Sequence, residues 1–487
     1  MQPFTCMARR RNPISIFTTA MGCFVNETQN NRWKLLILLC LPTLSILLST
    51  NIVMASLVAI GKSFPDVVGI GEWTLVLYSI TAASLSIPAG DLGDRFGLRR
   101  MYAYGLGIFL LGTIGAALSI NGEMLLASRM LSGVGSAILA PVALAFLNRL
   151  FNREEKPIAF GYWAASVTIG TVFGPLLGGW IQTFSNWRFT FPAAALPALI
   201  ALILINKLPE FRADNKLPDP DIKGIIGVVV SLGLSLFTLT MGGHLGLPVA
   251  TALIIFIALV IRLTIYHLHT TKNPAINIKR LRHSSWWRPS LLQLIIRCLF
   301  MSMLVMLTGY FHSITGLSEL VTSEALLPFL IAAGVMSFSS GYLCKSLGVR
   351  NLLVVVFILA LTGALTLLST TDDGFRWMDW LAIFCIGLLA GSTSQLSRLA
   401  LSNFSPEESM RGASLNTLVI NLGLSIGAAY PSLVRSITLP NANLEDIVPK
   451  HQLLDIMHDE IMVLILLFAI GIWQTIKIKE HNIKSMR

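Results

Sequence analysis

Apolar residues fill long stretches of the chain, and polar ones gather in short breaks between them. Fourteen mostly apolar runs lie at roughly 35–61, 73–91, 99–119, 122–148, 157–184, 188–207, 222–242, 248–268, 289–313, 322–344, 350–370, 377–399, 411–437 and 458–478. An α-helix rising about 1.5 Å per residue needs about 20 such residues to cross the hydrocarbon core of a bilayer. The runs are too long for barrel strands, and an open sheet would leave its edge groups unpaired in lipid. The pattern predicts an all-α membrane protein with fourteen transmembrane helices.

Composition supports that class. Of 487 residues 54% are hydrophobic and 13% charged, about half the charge of a soluble domain. That is too little charge to cover a soluble globule and too much apolar content for a disordered chain. The net charge of +11 would raise nucleic acid as a partner of a soluble protein, but its placement answers the question. With the N-terminus inside, 28 of the 36 Lys and Arg fall on cytosolic segments. Four fall outside (Lys62, Arg188, Arg376 and Lys450), and four lie in spans or at their ends (Arg129, Arg262, Arg297 and Arg435). That bias predicts both termini in the cytosol, so the charge is a topology signal and no nucleic acid is expected. No signal-peptide stretch precedes residue 35. The six cysteines show no CxxC pair and no metal-ligand spacing, so no metal and no cofactor are expected.

An internal repeat organises the chain. Gly90, Leu92, Asp94, Gly97 and Arg99 follow the second run, and Gly341, Leu343, Lys345, Gly348 and Arg350 follow the tenth, each 251 residues later. Repeats of this kind mark transporters built from two like halves. The copies lie eight runs apart, which divides the chain into a tail (1–34), a six-helix half (35–207), two inserted helices with their flanking loops (208–288), a second six-helix half (289–478) and a tail (479–487).

Four features carry candidate chemistry. In Gly90–Arg100 the glycines permit a tight turn, and Asp94 is placed to cap or pair with a neighbouring helix end. Arg129 sits about 10 Å deep in the fourth run, where a charge must face the bundle or a cavity. Gly170, Gly174 and Gly178 recur every fourth residue and make a smooth face, with Pro175 permitting a bend and Gly179 beside it. Small residues Ala332, Ala333, Gly334 and Ser337 of the tenth run offer a surface to accept that face. Polar groups in or near spans, namely Ser49, Asn51, Gln293, Arg297 and Gln395, are cavity candidates, with helix-to-helix glue as the alternative for the amides.

The segment Gly90-x-Leu92-x-Asp94-Arg95-x-Gly97-x-Arg99 resembles the signature loop of the major facilitator superfamily, and the resemblance extends over nearly the whole chain. Arg129-x-x-x-Gly133-x-Gly135 is similar to the family's fourth-helix motif, whose Arg is implicated in proton relay. The run from Gly170 to Gly179 resembles the fifth-helix motif of exporters and antiporters, where it acts as hinge and seal. The nearest branch is the fourteen-span drug:proton antiporters. The resemblance implies export of amphipathic compounds by alternating access, with Gly90, Asp94, Arg95, Gly97 and Arg99 as a conformational latch and Arg129 as proton relay or anion site. One position departs from the branch: the first-helix Asp is Ser49 here, and no Asp or Glu stands near the centre of a run. Proton coupling loses its usual carboxylate, and selectivity for cations is disfavoured.

The expected partners are a small-molecule substrate, the lipid bilayer and, by resemblance, protons, with one copy sufficient for function. The expected site is a bacterial inner membrane. The alternatives are an exporter or importer of an organic anion, metabolite or siderophore, and a non-transporting membrane receptor. No nucleophile elbow or phosphate loop supports an enzyme.

Overall fold

A computed structural model of the chain describes residues 13–478, apart from 55, 68, 212–219, 242–246, 275, 277–280, 282–283, 318, 372–373, 403, 405–407 and 439–448. Several basic residues behind the predicted orientation lie outside the described residues: Arg9, Arg10, Arg11, Arg212, Lys216, Lys279, Arg280, Arg282, Lys479, Lys484 and Arg487.

Among the described residues, helix occupies most of each of the fourteen runs, four of which are split into two helices. The first eight helices are α1 (Pro13–Met54), α2 (Leu57–Ser63), α3 (Ile70–Ser84), α4 (Ser86–Phe96), α5 (Leu98–Ala117), α6 (Gly122–Leu150), α7 (Lys156–Phe184) and α8 (Thr190–Ile203). Next come α9 (Ile222–Met241) and α10 (Leu247–Thr270). The remainder are α11 (Ser284–Gly309), α12 (Glu319–Ala325), α13 (Leu327–Leu347), α14 (Val349–Leu367), α15 (Trp377–Gly391), α16 (Thr393–Leu401), α17 (Ser409–Thr438) and α18 (Lys450–Ile476). Among the described residues, nine spans are long and apolar enough by themselves to cross a bilayer, or ten when bent α3–α4 counts as one. Helices α5, α8, α9 and α18 occupy the other predicted runs without meeting that test.

Local chemistry sets the breaks. α3 and α4 meet at 47°. Pro88 cannot donate to the carbonyl of Ser84, and its ring crowds that carbonyl, so the helix bends there. The side chain of Asn121 caps α6 by accepting from the N–H of Met124 at 2.8 Å. The two turns of the repeat have one conformation: Gly97 lies at φ 94°, ψ 145° and Gly348 at φ 81°, ψ 161°. That region is open essentially only to glycine. Each of these N–H groups closes the preceding helix, bonding Gly93 and Cys344 respectively.

The apolar faces then gather. One core cluster runs from Leu292 to Ile478 and another from Leu36 to Leu208, the latter also taking in Leu401, Met410 and Ala413. A third cluster joins α1 to α8 through Leu48, Ile52 and Phe191. α9 and α10 form a hairpin lying against α3 and α17. Trp73 stacks on Phe237 with ring centroids 5.9 Å apart, and His267 meets Asp221 at 2.8 Å across the hairpin. Two bundles result, α1–α8 and α11–α18, and they touch along α7 with α13, α4 and α6 with α17, and α7 with α16.

Candidate functional site: the cleft between the bundles

The bundles are joined at the end that carries Gly90–Arg100. Asp94 is 2% exposed and caps α17 from the opposite bundle, accepting from the N–H groups of Met410 at 3.2 Å and Arg411 at 3.1 Å. The first N–H groups of a helix have no partner within it and carry partial positive charge, so a carboxylate is favoured there. Arg149 approaches Asp94 at 3.6 Å while its Nε donates to Ser409 at 2.7 Å. Asp91 ties the same interface: Arg411 Nε donates to it at 3.1 Å, Arg411 Nη2 bonds the same oxygen, and Arg95 Nε donates to the other at 2.7 Å. Close approach of the backbones requires the small residues. A Cβ on Gly90 would overlap the side chain of Ser414, and one on Gly93 that of Met410.

The second seam is its counterpart. A Cβ on Gly341 would stand 2.6 Å from the carbonyl of Pro157, and one on Gly161 2.9 Å from the carbonyl of Ser337. Gln395 Nε2 donates to the Pro157 carbonyl at 3.0 Å, and the hydroxyls of Thr168 and Ser337 meet at 3.3 Å. Gly90 and Gly341, equivalent in the repeat, thus both sit where one bundle crosses the other. Arg99 instead braces its own bundle, 3.4 Å from Glu210 and donating to the carbonyl of Leu208 at 3.3 Å.

Two expectations change in the structure. The stripe of Gly170 and Gly174 faces α1, not α13: added Cβ atoms would meet Leu47 and Asn51, each at 2.6 Å. α7 does pair with α13, but through its other face, at Gly161 and Thr168. Gly178 is buried, and Gly179 has open space beside it. A glycine stripe read from sequence shows that some helix comes close, not which one. Among the cavity candidates, Ser49, Gln293 and Gln395 are fully buried in helix contacts. Gln293 Nε2 donates to Ser397 at 2.6 Å, and Asn51 Nδ2 donates back to the carbonyl of Leu47 at 2.7 Å. Arg297 does border a cavity, which lies between α7, α11, α13 and α15.

Arg129 is fully buried. Its Nη1 donates to Ser49 Oγ at 2.9 Å and its Nε to the carbonyl of Thr74 at 3.0 Å. The guanidinium carbon stands 4.2 Å from the centre of the Tyr78 ring, within cation–π range. Sequence reasoning singled out Ser49 and Arg129 separately, 80 residues apart; the fold makes them neighbours. It missed Asp91, Arg411 and Arg149 as cross-bundle residues. The only local signal was the four-residue spacing of Asp91 and Arg95, which pairs side chains on a helix.

The profile of the Major Facilitator Superfamily matches residues 39–428. The chain is 26% identical over 377 residues to the methyl viologen resistance protein SmvA of Salmonella typhimurium, covering 75% of this chain and 74% of that one. It is 26% identical over 456 residues to the multidrug resistance protein Stp of Mycobacterium tuberculosis, covering 88% and 82%. The crystal structure of the human organic anion transporter MFSD10 (TETRAN) superposes with a TM-score of 0.66 at 14% identity, over 91% of this chain and 99% of that one. That likeness carries the fold. With two bundles meeting along repeat-related glycine seams and a profile spanning most of its length, the chain belongs to the major facilitator superfamily.

Proposed function

We propose that the protein is a secondary transporter that exports small amphipathic compounds by alternating access, its substrate passing between two six-helix halves that rock about a central site. The observation that carries this reading is the closure at the Asp94 end. There Asp94 caps α17 of the opposite bundle, and two glycine seams bring the backbones together. We read that end as cytosolic, both termini as cytosolic, and the membrane as a bacterial inner membrane. The lysine and arginine distribution and the bacterial resistance proteins among the relatives support this. The same relatives favour export over uptake. Fourteen spans, with α9 and α10 as the inserted pair, and a single working copy complete the reading.

Within it, Gly90, Asp94 and Arg411 form the latch, with Asp91 holding Arg411 and Gly97 shaping the turn. The Gly170–Gly178 stripe keeps α7 on α1 so that the two move together. If the cycle is driven by protons, the proton is handled without a carboxylate at position 49. Export in energised bacteria that lack their own efflux pumps tests the reading. Cells expressing the protein should accumulate less of at least one aromatic dye than cells with an empty vector, and Asp94→Asn should cut that difference severalfold at equal membrane abundance. Equal accumulation of every dye tried by expressing and control cells would refute export.

A further inference from the structure

We propose that Arg297 is the anion-binding group of the substrate site, so that the preferred substrates of this transporter are aromatic organic anions carrying a carboxylate or sulfonate. The inference rests on the exporter reading for its biological meaning, while its chemistry is that of the cavity alone.

Arg297 lies midway along α11, which places it near the centre of the bilayer. Its stem passes α17 at Gly423, where an added Cβ would stand 2.8 Å from Arg297 Cβ. The side chain borders the cavity together with Thr168 and Thr171 of α7, Phe300 of its own helix, and Ala333 and Ser337 of α13. This cavity therefore reaches both bundles; it is small in this closed arrangement, about 20 Å³, so a substrate enters it only as the bundles part.

The guanidinium is under-used by the protein. One Nη2 N–H donates to Thr393 at 2.8 Å, and the buried Nε has no partner. Among the described residues no carboxylate pairs with it. Arg129 contrasts with this, spending its donors on Ser49 and Thr74 and its face on Tyr78. A half-buried cation with neither counter-ion nor full hydrogen bonding is costly in a membrane, and such groups mark ligand paths. A guanidinium presents a planar fork of donors that fits a carboxylate or sulfonate in two-point contact. The hydroxyls nearby add no competing anion: Thr171 donates to the carbonyl of Val167 and Ser337 to that of Ala333. Phe300, stacked on Phe329 with ring centroids 5.2 Å apart, supplies an aromatic wall beside the charge. Charge and ring together select an amphipathic anion with a flat apolar body.

The test measures equilibrium binding to the purified protein in nanodiscs, with three radiolabelled probes of similar size: 2-naphthalenesulfonate, N-methylquinolinium and 2-naphthol. The wild type should bind the sulfonate at least about tenfold more tightly than the cation, the worth of one charge-assisted contact. Arg297→Gln should weaken the sulfonate about tenfold or more and leave 2-naphthol unchanged, while Arg297→Lys keeps part of the affinity. Unchanged 2-naphthol binding shows that the variant is folded; if Arg297→Gln does not fold, the probe preference of the wild type and the Lys variant decides. Equal or tighter binding of the cation, no binding of the sulfonate by the wild type, or full sulfonate affinity in Arg297→Gln would overturn the proposal. Because binding is read without transport, this failure is distinct from a failure to export.

Discussion

Two arginines in the apolar interior illustrate how differently a single residue type is used. Arg129 is satisfied by its neighbours, and Ser49 is one of them at 2.9 Å. Replacing Ser49 with Asp puts a carboxylate against a buried guanidinium, a group whose proton occupancy responds to its surroundings. Transport by Ser49→Asp should become more strongly pH-dependent than that of the wild type, measured as initial rates in proteoliposomes across a pH series. An unchanged profile would show that this pair does not communicate with the cycle. Gly97 and Gly348 make a second residue-level claim. Both hold a conformation that a Cβ strains, at about 1–3 kcal/mol per residue. Gly97→Ala and Gly348→Ala should each lower the melting temperature in detergent, while alanine at Gly179, which has open space beside it, should not.

At the scale of helices, glycine spacing has two separate uses in this chain. The stripe on α7 seats that helix against α1 inside one bundle, whereas Gly90 and Gly341 stand at seams between bundles. Substitution should separate them. Gly174→Val overpacks the α1–α7 contact, which costs about 1–3 kcal/mol, and should lower thermal stability. Gly90→Val presses only where the bundles meet, so the protein should stay folded but lose transport; thermal melts beside transport rates check both. Helix positions were legible in the sequence because period and length alone report burial in lipid. The repeat was legible because four residues recur at one spacing, with Lys345 in place of Asp94, and its turn glycines Gly97 and Gly348 proved to share a backbone conformation. Helix partners were not legible. The α7 stripe matched small residues on α13 equally well on paper, and only three-dimensional packing gives α1 to that face. Nor could sequence pair Asp94 with Arg411, since their contact is made by backbone N–H groups that every helix start possesses.

At the scale of the whole molecule, the two bundles are held at one end by a capped helix, a carboxylate–arginine pair and two tight backbone approaches, with a cation-bearing cavity further along the cleft. The hydrogen bonds between Asp94 and α17 join one bundle to the other and close no contact within either, so their loss should shift the balance between the two ends without unfolding either. Residue pairs on exposed sites report that balance. Phe96 and Leu347 end α4 and α13 at the joined end, and Ile120 and Trp377 flank helices at the opposite one. The most direct measurement is the spin-label distance across each pair by pulsed electron–electron resonance, in a cysteine-free background, for the wild type and Asp94→Asn. The alternating-access account predicts that Asp94→Asn lengthens the Phe96–Leu347 distance and shortens the Ile120–Trp377 distance. Distances that stay the same at both ends, or that lengthen together, would contradict it.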